Sequence, residues 1–217
     1  MKKVAVVLSG CGFKDGSEIT EAVSTLIALS QQGASYQCFA PDFTIDATDH
    51  LTGEEVIGDQ RNIRTEAARI ARGNVKDLST LKSQDFDAII FPGGYGAALQ
   101  LCSWAQKGAL CEVLPDVRKI LTDFHAQSKP IGAICIAPVL VAKVLGSHGV
   151  TVTIGNDKET AAEIKKTGAQ HVDCPVDDYI TDRLTKVVST PAYMYDAQPH
   201  QVLKGISGLV KEIVEMA

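Results

Sequence analysis

A cysteine at the end of a short apolar run is the residue best placed to do nucleophilic chemistry. The run Pro130 to Ile134 has the length and composition of a buried strand, and Cys135 follows it directly. A helix-forming run begins near Ala137, with Pro138 suited to the first helical turn. A strand, a sharp turn and a helix in succession would lift the thiol out of the sheet. The free N–H groups of the helix N-terminus would then favour the thiolate over the thiol.

The alternative for Cys135 is a packing role, because free cysteine is among the residue types most often buried in cores. The residues around the thiol leave these two interpretations open. The choice depends on which other loops of the fold lie beside it.

Two glycine-rich loops follow other predicted strands. Ser9–Gly12, which contains Cys11, comes after the run Lys3–Leu8, and Gly93 and Gly94 come after Asp87–Phe91. Consecutive glycines after a strand let the backbone aim N–H groups outward, which suits an oxyanion hole or an anion site. Loops at the carboxyl ends of parallel strands share one edge of an open sheet. We therefore expect Cys11, Gly93, Gly94 and Cys135 to meet at one rim, which favours a functional cysteine.

The elements that position these loops predict a single α/β domain over residues 1–217. Buried strands alternate with helical runs, which is typical of a mainly parallel sheet covered on both faces. Asp15 or Ser17 is the expected N-cap of the first helix, which runs to about Gln32. The polar segment 41–59 predicts a small β excursion, and Val176–Ile180 with Lys186–Ser189 predicts two late strands.

A charged helix is predicted over Asn62–Ala71. Its arginines and Glu66 lie at helical spacing, and two interpretations apply to them. The first is a solvated face with ion pairs, and the second is an arginine that anchors a substrate.

Composition excludes several classes of protein. The formal charge is −5, the pI is about 5.5, and Lys and Arg form no run, which argues against nucleic acid or an anionic membrane as partner. The apolar run after Met1 is too short for a signal or membrane segment, so we expect a cytoplasmic protein. The six cysteines form neither a CxxC pair nor a Cys/His cluster, which predicts no metal site and no disulfide framework.

Several segments together resemble a known family. They are KPIGAICIAP (129–138), FPGGYGAA (91–98), LSGCG (8–12) with DGSEITEA (15–22), and GAQHVDCPV (168–176) with STPAYM (189–194). In combination they are similar to the DJ/PfpI branch of the class I glutamine amidotransferase-like superfamily, and over nearly the full length to its ElbB group. The resemblance implies a flavodoxin-like three-layer sandwich, a homodimer, and a cofactor-free glyoxalase activity on glyoxal or methylglyoxal.

The resemblance also implies the site residues. The nucleophile falls on Cys135, the oxyanion donors on Gly94 and Ile136, and a carboxylate on the first helix. Counting back from Gly33 places that carboxylate at Glu21. Glu18, three residues earlier on the same helical face, is the second choice. For either glutamate the alternative is a first-turn side chain favoured by the helix dipole.

The chain departs from the family pattern at two points. Ile136 stands where many relatives have a histidine after the nucleophile, and no His-x-Glu follows the last strands. His171-x-Asp173 is a partial imitation, and a structural histidine is the favoured interpretation there. Glutaminase and protease activities are therefore disfavoured.

The expected function is a slow, glutathione-independent lyase that converts glyoxal to glycolate or methylglyoxal to lactate through the Cys135 thiolate. Two other classes stay open. A reactive thiol could sense oxidants or electrophiles, and the missing histidine is compatible with a noncatalytic binding protein of metabolism.

Overall fold

The computed structural model describes residues 1–217 and contains eleven strands. They are β1 (Lys3–Val7), β2 (Ser35–Ala40), β3 (Thr44–Thr48), β4 (Glu55–Asn62), β5 (Val75–Asp77), β6 (Ala88–Phe91), β7 (Ile131–Ile134), β8 (Thr151–Val152), β9 (Gln170–His171), β10 (Ile180–Asp182) and β11 (Val187–Thr190).

Eight helices accompany the strands. They are α1 (Ile19–Gln31), α2 (Ile63–Ile70), α3 (Tyr95–Leu99), α4 (Trp104–Lys107), α5 (Pro115–Ala126), α6 (Pro138–Leu145), α7 (Lys158–Lys166) and α8 (Pro199–Met216). None of these helices combines the length and the apolar composition that crossing a bilayer requires.

The central sheet has seven strands in the order β10-β11-β7-β6-β1-β2-β5. All neighbouring pairs are parallel except β10 with β11, which is antiparallel at one edge. The chain winds outward from β1 through β2 to β5, and then returns to β6 and continues the other way. The loops that follow β1 and β6 therefore diverge, and open α/β sheets bind ligands in the crevice at such a switch point.

Both faces of this sheet are buried, which gives a three-layer sandwich. Successive side chains of a strand point to opposite faces, so Val4 and Val6 of β1 join one core while Ala5 and Val7 join the other. The first core packs under α1, α2 and α8, and the second under α5 and α6. The flavodoxin-like α/β fold expected from the sequence is confirmed.

The small β excursion is also confirmed. Strands β3 and β4 pair antiparallel, with a register shift between Asp46 and Ala47. The helix α2 follows directly, capped by the Asn62 side chain, which accepts a hydrogen bond from Thr65 N–H at 2.9 Å.

The arginines around α2 lie in ion pairs. Arg64 contacts Asp42 at 2.8 Å and Arg69 contacts Glu66 at 2.9 Å, while Arg61 contacts both Asp59 and Glu66. None of them lines the cavity at Cys135. The solvated face with ion pairs is therefore the correct interpretation of this segment.

Two local predictions are wrong. Residues 176–179 form no strand, and β10 begins only at Ile180, because a turn at 176–177 precedes it. The N-cap of α1 is neither Asp15 nor Ser17. Their oxygens bind backbone N–H groups of Thr48 and Ser9 across the loop, and Glu18 caps the helix instead.

Candidate active site

The thiol of Cys135 stands on a sharp turn between β7 and α6. Its backbone has φ 60°, in the left-handed region that a residue with a side chain rarely adopts. The Cys135 N–H donates to Thr190 O at 2.9 Å, which ties the turn to the end of β11. The strand, turn and helix predicted from the sequence are confirmed, and the strained backbone aims the side chain away from the strand.

Glu21, in the first turn of α1, is fully buried beside this thiol. Gly93 N–H donates to its Oε2 at 3.0 Å and Tyr193 N–H donates to its Oε1 at 3.3 Å. The same carboxyl group is hydrogen-bonded to the Cys135 side chain. Three contacts from three different strand ends therefore hold the carboxyl group against the sulfur.

Glu18 has a different local role. Its Oε2 accepts from Glu21 N–H at 2.7 Å, so the side chain caps α1 and is half-buried at the cavity wall. Burial raises the pKa of Glu18 above its usual value. Of the two candidate carboxylates, the structure brings Glu21 to the sulfur and leaves Glu18 one helical turn away.

The pKa values of the buried pair depend on each other. Burial, reinforced by the charge of Glu18, raises the pKa of Glu21 to about 8. Burial and the Glu21 carboxylate also raise the pKa of the Cys135 thiol well above its usual value. The expectation of a thiolate favoured at rest is wrong for this reason: desolvation and a neighbouring carboxylate outweigh the helix N-terminus. The first proton leaves the pair near pH 8.

Two backbone N–H groups oppose the rise in the pKa of the Cys135 thiol. Those of Gly94 and Ile136 act as hydrogen-bond donors toward the Cys135 sulfur and lower the pKa of its thiol. Donors aimed at this position would also face an oxygen carried on a carbon bonded to the sulfur. The structure thus brings the N–H groups of Gly94 and Ile136 together at the Cys135 sulfur.

Glycine is required at two positions of the loop after β6. A Cβ on Gly93 would lie 2.4 Å from Cys135 Cβ and 2.6 Å from Glu21 Oε2. A Cβ on Gly94, whose φ is 92°, would lie 2.3 Å from Gly16 O and 2.4 Å from Glu18 N. Because Gly93 and Gly94 have no side chain, the loops after β1, β6 and β7 can approach one another this closely.

The loops are also tied together by backbone hydrogen bonds. Glu18 N–H donates to Gly93 O at 3.0 Å, and Tyr95 N–H donates to Phe13 O at 2.7 Å. The Gly10–Glu18 segment therefore packs directly on the Gly93–Tyr95 segment. The predicted convergence of three loops on one rim is confirmed.

A cavity of about 1120 Å³ opens at this rim. Its lining includes Cys135, Ile136, Gly94 and Glu18, together with residues of α4 and α7. Cys135 is 8% exposed and Glu21 is not exposed at all. A ligand in the cavity would therefore touch the sulfur, while the Glu21 carboxyl group lies behind it.

Cys11 is the predicted site residue that the structure places elsewhere. It lines a separate small cavity with Asp15, Arg61 and Glu66, on the far side of the loop after β1. Burial and the charge of Glu66 raise the pKa of its thiol. The prediction that Cys11 lies beside Cys135 is wrong, because the loop turns its two faces toward different cavities.

Sequence reasoning missed the role of the segment after β11. Ala192 has φ 46°, and this turn presents the N–H of Tyr193 to Glu21 while the Tyr193 side chain lines the cavity. The STPAYM segment was visible as a family feature. A fourth strand end at the same rim, that of β11, was the signal that could have assigned it to the site.

Histidines and metal ligands are absent from this site. No histidine lines the cavity, and no group of three or more His, Cys, Asp or Glu side chains is placed to hold a metal ion. His171 has a side chain that is 2% exposed, and its Nε2 accepts from Ile154 N–H at 3.3 Å. The interpretation of His171 as a structural residue is confirmed.

Fold and site together define a class: a parallel α/β sandwich with a cysteine on a strained elbow and a buried carboxyl group at the switch point. The DJ-1/PfpI family model matches residues 2–191, and the chain belongs to this family. A crystal structure of an isoprenoid biosynthesis protein with an amidotransferase-like domain, from Ehrlichia chaffeensis, has 36% identity and a TM-score of 0.92. That alignment covers 99% of this chain and 100% of the other.

Curated relatives show similar coverage. The glutamine amidotransferase-like class 1 domain-containing protein 3, mitochondrial, of Homo sapiens is 45% identical over 99% of this chain and 83% of its own length. The ES1 protein, mitochondrial, of Danio rerio is 36% identical over 98% and 85%. These relatives are mitochondrial proteins, and this finding contradicts the cytoplasmic location expected from the sequence.

Replacing Gly94 by alanine tests the close packing of the loops. We expect Gly94→Ala to lower the free energy of unfolding by about 2 kcal/mol or more beyond Gly73→Ala, measured by urea denaturation. Gly73 is the matched control because its φ is 83° and nothing lies within 4 Å of its added Cβ, whereas Gly94 would clash with backbone atoms. Equal losses in the two variants would contradict the packing described here.

The raised pKa of Glu21 makes the stability depend on pH. The unfolded chain releases this proton near 4.5 and the folded protein near 8, so its stabilising effect is complete below about pH 4.5 and is lost as the pH rises to about 8. Relative to Glu21→Gln, the free energy of unfolding of the wild type should fall by on the order of a few kcal/mol as the pH rises over this range. Denaturant titrations at several pH values measure the difference.

The test is how the difference in unfolding free energy between wild type and Glu21→Gln changes with pH. Its absolute size is not used, because the glutamine amide also changes hydrogen bonds that do not depend on pH. Glu55→Gln, at an exposed position on the hairpin, is the control and should run parallel to the wild type. A difference between wild type and Glu21→Gln that stays flat from pH 5 to pH 8 would show that Glu21 ionises normally.

Proposed function

We propose that this protein is a glyoxalase-like enzyme, which converts small dicarbonyls to hydroxy acids without metal or glutathione. The observation that carries the proposal is the contact of a buried carboxyl group, Glu21, with a cavity-lining thiol, Cys135. A proton-accepting group and a nucleophile within hydrogen-bonding distance are the parts that carbonyl addition needs.

The first step is addition of the thiol to an aldehyde. The sulfur of Cys135 bonds to the aldehyde carbon, the thiol proton passes to Glu21, and the carbonyl oxygen takes the electron pair. The N–H groups of Gly94 and Ile136 stabilise this oxygen. Return of the proton from Glu21 gives a neutral hemithioacetal.

The second step is an internal oxidation and reduction. Glu21 removes the proton from the carbon that carries the sulfur and passes it to the oxygen of the neighbouring carbonyl, giving an enediol. It then takes the hydroxyl proton of the first carbon and delivers a proton to the second carbon. The first carbon is thereby oxidised to a thioester and the second is reduced to an alcohol. Water then cleaves the thioester, releases the hydroxy acid and restores the thiol.

The pKa of Glu21 suits this role. A general base works best when its pKa lies near the working pH, and a value of about 8 meets that condition where an exposed glutamate would not. The absence of histidine from the cavity leaves Glu21 as the only buried base beside the sulfur. These points also disfavour a glutaminase, which would use a histidine.

The similarity to the Ehrlichia chaffeensis protein supports assignment to the ElbB group within the family. That protein is described as an isoprenoid biosynthesis protein, and the alignment covers both chains almost completely. We propose the same group for this chain on that basis, together with the glyoxalase-like reaction that the ElbB resemblance implies.

A redox or electrophile sensor is the second candidate, and one observation favours it. Cys135 is the only cysteine that lines the large cavity, so a small oxidant admitted there would meet this thiol first. Peptide mass spectrometry after mild peroxide treatment separates the two functions. Selective oxidation of Cys135 in a protein with no turnover would favour the sensor.

Activity measurements on site variants test the proposed reaction. We expect Cys135→Ala to abolish the consumption of glyoxal and methylglyoxal, and Glu21→Gln to lower kcat by about 100-fold or more, because the base is lost. Glu18→Gln should have a smaller effect, since Glu18 caps the helix and does not contact the sulfur.

Cys174→Ala is the matched control, because Cys174 is buried outside the cavity and should retain the wild-type rate. Equal rates for Cys135→Ala and the wild type would end the proposal. A larger loss for Glu18→Gln than for Glu21→Gln would move the base to Glu18.

A further inference from the structure

We propose that the substrate of this cavity carries a positively charged group on an apolar chain attached to its reactive carbonyl. The inference rests on the proposed reaction at Cys135 and adds the class of compound that undergoes it. The size of the cavity, the sign of its charges and its aromatic side chains support it.

The cavity is much larger than glyoxal or methylglyoxal. Pockets of about 300–1000 Å³ accommodate drug-sized ligands, and this one measures about 1120 Å³. Two- and three-carbon dicarbonyls would fill only a small part of it beside Cys135. The remaining wall, formed largely by α4 and α7, would contact nothing in such a complex.

The charged residues of the wall have one sign. Glu18, Asp157, Glu159 and Glu163 line the cavity, and no lysine, arginine or histidine does. Glu163 is neutralised locally by an ion pair with Lys166 outside the cavity. The other three carboxylates have no ion pair, although Glu18 and Asp157 accept backbone N–H groups as helix caps. With no cationic side chain in the lining, the charged side chains of the cavity are all negative, and a cationic ligand would neutralise them.

Aromatic rings form part of the same wall. Tyr95, Trp104 and Tyr193 line the cavity, and the faces of such rings attract cations. Phe13 also lines it, but Lys14 Nζ already lies 5.6 Å from the centre of that ring. Carboxylates and aromatic side chains in one cavity are the groups that recognise an alkylammonium ion.

The carboxylates of the cavity wall would repel an anionic ligand. A phosphate, diphosphate or carboxylate on the substrate would find no lysine, arginine or histidine in the cavity wall and would face the carboxylates of Glu18, Asp157 and Glu159. The chemistry at the carbonyl is unchanged from the reaction above, and it needs no further reagent. The cationic group contributes binding and orientation only.

Three matched α-oxoaldehydes test the inference. Each has the same butyl chain, ending in trimethylammonium, in the neutral isostere tert-butyl, or in carboxylate. Trimethylammonium is used because a primary amine would condense with the aldehyde. We expect kcat/KM to be about tenfold higher for the cation than for its neutral isostere, and lowest for the anion.

Binding measurements separate this inference from the proposed reaction. Trp104 is the only tryptophan of the chain and lines the cavity, so its fluorescence reports a bound ligand. The corresponding methyl ketones, titrated into Cys135→Ala, should show about tenfold tighter binding of the cation. If the cation binds more tightly but no probe is turned over by the wild type, the proposed reaction fails, and the cavity is shown to select a cationic ligand.

Equal or tighter binding of the neutral ketone would overturn the substrate class, whether or not turnover is seen. Glu159→Gln adds a variant test, because Glu159 is exposed at the cavity wall and caps no helix. This variant should lose part of the preference for the cation and keep its affinity for the neutral ketone. Glu55→Gln, on the β3–β4 hairpin, should keep both the preference for the cation and the affinity for the neutral ketone. The same preference for the cation in the two variants would show that Glu159 does not contribute to cation binding.

Discussion

The burial of the Glu21 carboxyl group against the Cys135 sulfur is the constraint on which this site depends. Neither group has an opposite charge beside it, so both are costly to ionise. The fold offsets this cost with backbone N–H groups from Gly93 and Tyr193 on the carboxyl group, and from Gly94 and Ile136 on the sulfur. Proton transfer between the two groups can then take place without solvent.

The sheet explains why these groups can meet at all. Strands β1, β6 and β7 are neighbours, and the loops that follow them reach the same rim together with the turn after β11. Glycines 93 and 94 allow an approach that any side chain would prevent. The strained backbone at Cys135 and Ala192 is tolerated because hydrogen bonds from adjacent strand ends hold both turns.

Much of this arrangement could be predicted from the sequence. Apolar runs such as Lys3–Leu8 and Asp87–Phe91 identify strands that are buried on both faces, and the glycines after each run are evident from the sequence. The meeting of these loops at one edge could therefore be predicted from general rules of parallel sheets. The elbow at Cys135 was predictable for the same reason. The hairpin and the ion-paired helix α2 also follow from local composition.

The remaining features depend on tertiary packing. Glu18 and Glu21 lie on one helical face, and only the position of the loop after β6 decides which of them meets the sulfur. The pKa of Cys135 could not be predicted because its burial comes from distant segments. Cys11 was misplaced because a loop at the rim has two faces, and sequence does not show which face a side chain takes.

Infrared difference spectroscopy of wild type against Glu21→Gln would measure the protonation of the buried carboxyl group, because the carbonyl stretch of a protonated carboxylic acid identifies the proton on Glu21. We expect this signal to be present at pH 6 and to be lost with a midpoint near pH 8. Its absence at pH 6, or a midpoint near 4.5, would show that Glu21 is an ordinary carboxylate and would contradict the shared burial of the pair.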